Sequence, residues 1–140
     1  MKLKIFFLGS LIALITVLSL TGCATPTPVY AQGTEKDTAV ATADPLSRDI
    51  LTGIQQDDFS LYSKDFDAAM LKASTQASFE TMVKQYAPYG EFQSSELINV
   101  EIVSTYYRVN YKLTFAKKVL TMGVVIPNDG TAAVSGLWFQ

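Results

Sequence analysis

Residues 107–115 read Tyr-Arg-Val-Asn-Tyr-Lys-Leu-Thr-Phe, nine residues in which apolar or aromatic side chains alternate with polar ones without a break. In an extended strand successive side chains point to opposite faces, so this strand has one apolar and one polar face. Such alternation is typical of an antiparallel sheet that packs one face on a core and exposes the other to water. The stretch therefore predicts a two-sided sheet whose apolar face must be covered.

The segments before and after this stretch have the same period of two. Their apolar positions are Ile98, Val100 and Ile102 on one side and Leu120, Met122, Val124 and Ile126 on the other. The run Pro127-Asn128-Asp129-Gly130 is a strong turn signal. A last strand, Ala132 to Phe139, places Trp138 on the face opposite to Leu137 and Phe139. Four strands joined by short turns predict a curved antiparallel meander.

Three helices are predicted before the sheet. Asp44 is a good N-cap and Pro45 suits the first helical position, and an apolar stripe follows at Leu46, Ile50 and Ile54. Asp58 can cap a second, short helix that carries Phe59, Tyr62 and Phe66. Ser74 or Thr75 begins a third, which Pro88 to Gly90 end. Its apolar stripe is Phe79, Met82, Val83 and Tyr86. The fold class is therefore α+β, with the helices covering the sheet.

This domain, residues 44–140, holds 97 residues, which is enough for one core and too few for two. Ala24 to Ala43 contains two prolines, a glycine and few large apolar side chains, and it shows no period. Such composition predicts a disordered tether over residues 23–43, and an ordered first strand of the domain is the alternative.

The amino terminus has the pattern of a secretory signal peptide over residues 1–22. Two lysines lie in Met1 to Lys4, and Ile5 to Leu20 is almost wholly apolar but short for a membrane-spanning helix of about 20 residues. Leu20-Thr21-Gly22-Cys23 holds the only cysteine in the chain. An uncleaved anchor with an incidental cysteine is the alternative interpretation.

These four residues resemble the lipobox of bacterial lipoproteins. The resemblance implies a diacylglyceryl group on the Cys23 thiol, cleavage between Gly22 and Cys23, and an amine that is often acylated by chains such as palmitate. It places the protein on the extracytoplasmic side of a membrane, held by lipid. In a cell with two membranes, Ala24 in place of the aspartate of an inner-membrane retention signal favours the outer membrane.

Charge and composition exclude several classes of function. Without residues 1–22 the chain has 9 basic and 13 acidic side chains, a net charge of −4, and no basic run that would bind nucleic acid. The chain has no histidine, which excludes a histidine base and histidine-ligated metals. If Cys23 is acylated no thiol remains, so we expect no cofactor and no metal centre.

Helices followed by a bent meander resemble the nuclear-transport-factor-two-like, or cystatin-like cone, superfamily, and in particular its small secreted bacterial domains of unknown function. The resemblance extends over residues 44–139. Its residues are Ile54 to Phe59, Phe66, Phe79 to Val83, Gly90, and above all Val134-Ser135-Gly136-Leu137-Trp138-Phe139. It implies no catalytic residues, although cone folds often hold a pocket between sheet and helices, and fold does not establish function.

Two clusters allow a chemical interpretation and a structural one. The aspartates at 57, 58, 65 and 67 are a cation site or a solvated set of helix caps, and their spacing matches no calcium loop. The tyrosines at 62, 86, 106, 107 and 111 line a pocket or pack in the core. For acid–base chemistry, Asp65 with Tyr62 or Tyr111 is the best pair that the sequence offers.

The polar sheet face supplies the candidate interaction surface. It carries Arg108, Asn110, Lys112 and, from the last strand, Trp138. On the other face, large aromatic and aliphatic side chains predict a packed interior without a cavity. We therefore expect a non-enzymatic, membrane-anchored domain that binds an envelope protein or a small apolar ligand. The alternatives are a small enzyme using Asp/Tyr acid–base chemistry and an accessory module of an envelope enzyme.

Overall fold

A computed structural model describes residues 27–140; the predicted signal peptide, the cleavage site and Cys23 lie outside the described residues. The chain is α+β, with one antiparallel sheet and its helices, as the sequence predicts. The helices are Gly33–Gln56 (α1), Phe59–Tyr62 (α2), Ala68–Ala73 (α3) and Gln76–Tyr86 (α4), and a 3₁₀ turn at Ala87–Tyr89 follows. The strands are Val29–Tyr30 (β1), Phe92–Val103 (β2), Tyr106–Phe115 (β3), Val119–Pro127 (β4) and Gly136–Phe139 (β5). Over residues 27–140 no helix combines the length and the apolarity needed to cross a bilayer.

The five strands lie in the order β1-β2-β3-β4-β5, each antiparallel to its neighbours. The period of two in β3 is confirmed, since Val109, Tyr111 and Leu113 are all buried on one face. A register shift between Leu97 and Asn99 interrupts β2. Because of this shift Ile98 is 49% exposed, contrary to its predicted place in the core.

The core lies between this face and the helices. Its largest fully buried side chains are Phe79, Ile50, Leu113, Met122, Ile126, Val100, Val109, Val124 and Val134. Phe66 and Phe79 are buried in the same cluster and Met82 packs against it, as the sequence predicts. The centre of the domain is therefore packed.

The amino-terminal boundary differs from the prediction. Helix α1 begins at Gly33, so Asp44 lies inside it rather than at its N-cap, and Pro45 is an interior proline. Ala39 and Ala43 are almost completely buried and continue the stripe of Leu46 and Ile50 towards the amino terminus. Their burial against the core compensates for the backbone hydrogen bond that Pro45 cannot make. The prediction of a disordered tether up to Ala43 is wrong for this part.

The first strand also belongs to the folded domain. Val29 lies opposite Ile102 and Tyr30 opposite Glu101, and the Ala31 N–H donates to the Val100 carbonyl at 2.9 Å. The sheet of the described residues thus has five strands instead of the predicted four. The last strand is shorter than predicted, because Val134 forms a parallel bridge with Phe66 and the ladder with β4 begins only at Gly136.

Three helices begin at side-chain caps. Asp58 accepts a hydrogen bond from the Leu61 N–H at 3.1 Å at the start of α2, and Asp67 accepts one from the Met70 N–H at 2.8 Å at the start of α3. At the start of α4, Thr75 forms a reciprocal capping box. The caps predicted at Asp58 and Thr75 are confirmed. Helix α3 raises the number of α-helices in the described residues from the predicted three to four.

Candidate ligand-binding groove on the outer sheet face

A shallow groove of about 500 Å³ lies on the sheet face that the helices do not cover. Its lining residues, which we call the outer groove, are Ile98, Asn99, Glu101, Arg108, Asn110, Thr121, Trp138 and Gln140. Three of the four predicted surface residues, Arg108, Asn110 and Trp138, are among them. Alternation along β3 and β5 places these side chains on the same face.

The centre of the outer groove is a row of residues that crosses four strands. Asn99 lies opposite Asn110, Asn110 opposite Gly123, and Gly123 opposite Trp138. A Cβ atom built on Gly123 would overlap the indole of Trp138, and the indole atom nearest to it is Nε1. Only glycine therefore lets the indole lie over β4 in this position.

Glu101 holds the polar side chains of the groove together. Its Oε2 accepts from Arg108 Nη1 at 3.0 Å, and its Oε1 accepts from Asn110 Nδ2 at 2.9 Å. Asn110 Nδ2 also donates to Asn99 Oδ1 at 2.7 Å. Because Glu101 faces Arg108 across the ladder, the two charges compensate each other inside the groove.

Three buried polar atoms of these residues have no hydrogen-bond partner among residues 27–140: Arg108 Nε, Asn110 Oδ1 and Trp138 Nε1. Asn110 is only 4% exposed. A buried donor or acceptor without a partner costs about 1–3 kcal/mol, so three in one place are uncommon unless a ligand or solvent meets them. Because the surrounding protein covers each of these atoms almost completely, a bound molecule reaches them only if the indole or a neighbouring side chain moves.

Lys112, the fourth predicted residue, lies beside the groove but does not line it. It is opposite Glu96 in the ladder, and its Nζ forms an ion pair with Glu96 Oε2 at 2.7 Å. Both side chains are about half exposed, at 45% and 59%. Such a pair contributes little to stability, and it keeps the lysine away from the groove.

A second groove, of about 480 Å³, opens between α1 and the start of β2, and we call it the seam groove. The expectation of a fully packed interior missed it. Inside it the Tyr111 hydroxyl donates to Asp44 Oδ1 at 2.7 Å. Burial, and then the bond to Asp44, raise the pKa of Tyr111 far above its ordinary value of 10.0. The tyrosine thus keeps its proton at neutral pH and is a hydrogen-bond donor rather than a base.

The other predicted tyrosines do not converge on one pocket. The Tyr62 hydroxyl faces Met82 Sδ at 4.0 Å, and burial raises its pKa to about 12. Tyr107 donates to Glu35 at 2.9 Å near the start of α1, and Tyr106 is exposed. Asp65 hydrogen-bonds neither Tyr62 nor Tyr111, so the predicted acid–base pair is not formed.

The four aspartates of the predicted carboxylate cluster likewise do not form one site. Asp58 and Asp67 cap helices, and Asp57 ends α1 in a left-handed conformation with φ of 53°. Within residues 27–140 no group of three or more acidic or cysteine side chains lies close enough to hold a metal ion. The interpretation as helix caps is confirmed for these three aspartates.

Sequence reasoning missed the groove residues outside β3 and β5. Asn99 and Glu101 were visible as the polar positions of β2, but their partners depend on the register with β3. Thr121 and Gln140 join the groove because their backbones pair, with the Thr121 N–H donating to the Gln140 carbonyl at 2.7 Å. No family model, curated protein or solved structure matches this chain.

Proposed function

We propose that this protein is a lipid-anchored lipoprotein of the cell envelope whose domain binds a ligand in the outer groove without catalysing a reaction. The lipobox-like Leu20-Thr21-Gly22-Cys23, behind a basic start and an apolar segment, supports the anchor. Helices that precede a meander with a bulged second strand support a nuclear-transport-factor-two-like domain.

One observation carries the assignment of the binding site. The polar sheet face carries a groove of about 500 Å³ that is lined by the indole of Trp138 and by polar side chains from the neighbouring strands. Ligand sites combine apolar surface with a few convergent polar groups. The indole of Trp138 supplies the apolar surface, and the side chains of Asn99, Glu101, Thr121 and Gln140 supply polar groups.

The anchor is tested by metabolic labelling with a fatty-acid probe. We expect the native chain to be labelled and to sediment with membranes, and Cys23→Ser to be unlabelled and released. Two acyl chains give stable anchoring because each buried methylene contributes about 0.8 kcal/mol. Equal labelling of both chains would show that Cys23 is not the acylated residue.

The site is tested by the thermal stability of the full chain in soluble envelope extract. A ligand that binds only the folded state raises the melting temperature by mass action. We expect the extract to stabilise the native chain and Tyr111→Phe, but not Trp138→Phe. Both substitutions leave a phenyl ring in place: Tyr111→Phe removes a hydroxyl, and Trp138→Phe removes the indole N–H together with part of the ring. The reverse pattern would assign binding to the seam groove.

A small enzyme is the second candidate, and the Tyr111–Asp44 hydrogen bond in the seam groove is the observation that favours it. Asp44 is exposed and Tyr111 keeps its proton, so the pair is suited to donating a hydrogen bond and not to removing a proton. Turnover of an envelope substrate that Tyr111→Phe abolishes would establish this alternative.

A further inference from the structure

Exposed apolar side chains collect at one corner of the sheet, where β1 lies beside the hairpin between β2 and β3. Of the eight large apolar residues that are exposed within residues 27–140, four lie there: Val29, Tyr30, Val103 and Tyr106. Strand β1 pairs with β2 next to Val103, and Val103 lies opposite Tyr106. Because neighbouring strands are about 4.8 Å apart, this set, which we call the hairpin corner, spans about 10 Å across three strands.

The hairpin corner is formed by uncharged sequence. Residues 24–34 and 102–107 contain no aspartate, glutamate, lysine or arginine. The charges that border the corner are of opposite sign, since Glu101 pairs with Arg108 at 3.0 Å and Lys36 follows Glu35 in the sequence. The four side chains are between 38% and 61% exposed, so the corner presents apolar and aromatic surface without a charge of its own. Such a surface fits a partner that is apolar or zwitterionic.

The proposed lipid anchor joins the domain at this corner. Six residue steps separate Cys23 from Val29, so the acyl chains are attached within about 20 Å of the corner. In the antiparallel ladder the chain before Val29 points towards Val103 and the hairpin. The other end of the sheet is farther away, because the exposed Val119 pairs with β3 eight residues from Tyr106, which corresponds to about 26 Å. The hairpin corner is therefore the end of the sheet nearest to the proposed anchor.

Tyrosine and valine are suited to the boundary between lipid headgroups and acyl chains. A tyrosine has an apolar ring and a polar hydroxyl, and it is enriched at membrane interfaces. Tyr30 lies opposite Glu101, so Tyr30, Val103 and Tyr106 point to the same sheet face. Interfacial side chains lie only about 5–10 Å deep. Asn110 in the outer groove is four residues, about 13 Å, further along β3, so contact at the corner leaves the groove in water.

We propose that the hairpin corner rests in the headgroup region of the membrane, with Tyr30, Val103 and Tyr106 in contact with zwitterionic phospholipid. This inference rests on the proposed lipid anchor, and it adds the surface by which the domain itself contacts the bilayer. Because the contact is made by uncharged side chains, it requires no anionic lipid and is insensitive to salt.

The test uses the acylated protein, extracted from membranes and reconstituted into phosphatidylcholine vesicles whose acyl chains carry bromine, which quenches tryptophan on contact. Trp138 is the only tryptophan, so Trp138→Phe provides a background without one. In this background Tyr106→Trp places a reporter in the corner, and Val119→Trp places one at the other end of the sheet. Relative to vesicles without bromine, we expect at least about twofold weaker emission for Tyr106→Trp, because interfacial side chains lie about 5–10 Å deep. The emission of Val119→Trp should be unchanged.

A charge in the corner tests whether the contact depends on apolar side chains. Val103→Asp, opposite the reporter at position 106, should restore the emission, because a carboxylate is disfavoured among acyl chains. The matched control is Leu71→Asp on α3, which places the same charge at another exposed apolar residue and should leave the quenching unchanged. Circular dichroism checks that each variant is folded, and Tyr30→Asp takes the place of Val103→Asp if that variant is not.

Equal quenching of the two reporters, or quenching that Val103→Asp does not relieve, would overturn the inference. Quenching that needs anionic lipid and disappears at high salt would also overturn it, because the attraction would then be electrostatic. A chain that sediments with the vesicles but is dimeric in detergent and shows no quenching at position 106 would assign the corner to an interface between two copies. In these cases the proposed anchor stands. A chain that carries no fatty-acid label and does not sediment with vesicles would refute the anchor, and this inference with it.

Discussion

Gly123→Ala is the substitution that most directly tests how the outer groove is built. Gly123 does not have a positive φ, so its backbone accepts alanine without strain. The new methyl group would nevertheless overlap Nε1, Cε2 and Cζ2 of the Trp138 indole. Because β4 is held by ladders on both sides, we expect the indole to move rather than the strand.

The magnitude follows from the surface that the indole would lose. An aromatic side chain buries 150–250 Å², so losing about 100 Å² at about 25 cal/mol per Å² costs about 2.5 kcal/mol. Alanine recovers about 0.5–1 kcal/mol relative to glycine within a strand. The net loss of unfolding free energy is about 2 kcal/mol, which lowers the melting temperature by about 10 °C for a domain of this size.

The assay is urea denaturation followed by circular dichroism and by the fluorescence of Trp138. Native-state fluorescence should shift to longer wavelength in Gly123→Ala, because the indole becomes more exposed. The control is a double-mutant cycle, in which Gly123→Ala should be neutral or slightly stabilising once Trp138→Ala has removed the indole. An equal cost with and without the indole, or unchanged fluorescence, would refute the reasoning.

Three further substitutions test the rest of the fold by the same denaturation assay. A Cβ at Gly53 would overlap the backbone of Tyr62, which cannot rotate away, so Gly53→Ala should lower the free energy of unfolding by about 3 kcal/mol. A cost below that of Gly123→Ala would contradict the contact between α1 and α2. Phe79→Ala should cost about 4 kcal/mol, because its ring is buried against Tyr62 with centroids 4.8 Å apart, and a cost below 1 kcal/mol would exclude this packing. The Met70 N–H, and then Ser135, lower the pKa of Asp67 from 3.8, so its carboxylate stabilises the fold above that value and the effect is lost as pH falls through the lower, folded pKa. Asp67→Ala should therefore cost about 1 kcal/mol at pH 7 and less in strong acid, where the neutral carboxyl keeps only an uncharged acceptor, whereas Asp67→Asn keeps most of the cap at both pH values, and a cost of Asp67→Ala that is independent of pH would refute the linkage.

Short sequence patterns, namely strand alternation and helix caps, predicted the parts of the fold that depend on interactions between residues close in sequence. The alternation of residues 107–115 assigned each side chain of β3 to its face, and the caps at Asp58 and Thr75 each satisfy an N–H only three residues away. Such signals are contained in a window of a few residues, so they can be recognised without knowledge of the tertiary structure.

The amino-terminal part escaped prediction for a physical reason. Ala39 and Ala43 are small, so a stripe of them resembles linker composition, although their spacing of four continues through Leu46 or Ser47 to Ile50. Strand β1 has only two residues and exists because β2 offers an edge, which is a non-local cause. Asp44 and Pro45 are typical of a helix start, so the predicted helix began there. In the structure they lie in the middle of α1.

Only part of the outer groove could be predicted from the sequence, because the rest depends on non-local strand pairing. The alternation of side chains along each strand placed Arg108, Asn110 and Trp138 on the same sheet face. That Gly123 lies between Asn110 and Trp138 depends on the registers of β3, β4 and β5, which the sequence does not reveal. The register shift after Leu97 brings Asn99 opposite Asn110 and leaves Ile98 at the rim. Lys112 was assigned correctly to this face, yet its neighbour Glu96 holds it outside the groove.

If Cys23 carries the proposed lipid, the pairing of β1 limits the distance between the domain and the membrane. With Cys23 acylated as proposed, six residue steps separate the lipid from Val29, and six steps span about 20 Å at most. A tether that continued to Ala43 would have allowed about 70 Å. The domain would therefore remain beside the bilayer surface, with Tyr30 opposite Glu101 at the edge of the sheet nearest to the anchor. A ligand of the outer groove must then come to the membrane, because the protein cannot reach across the envelope to meet it.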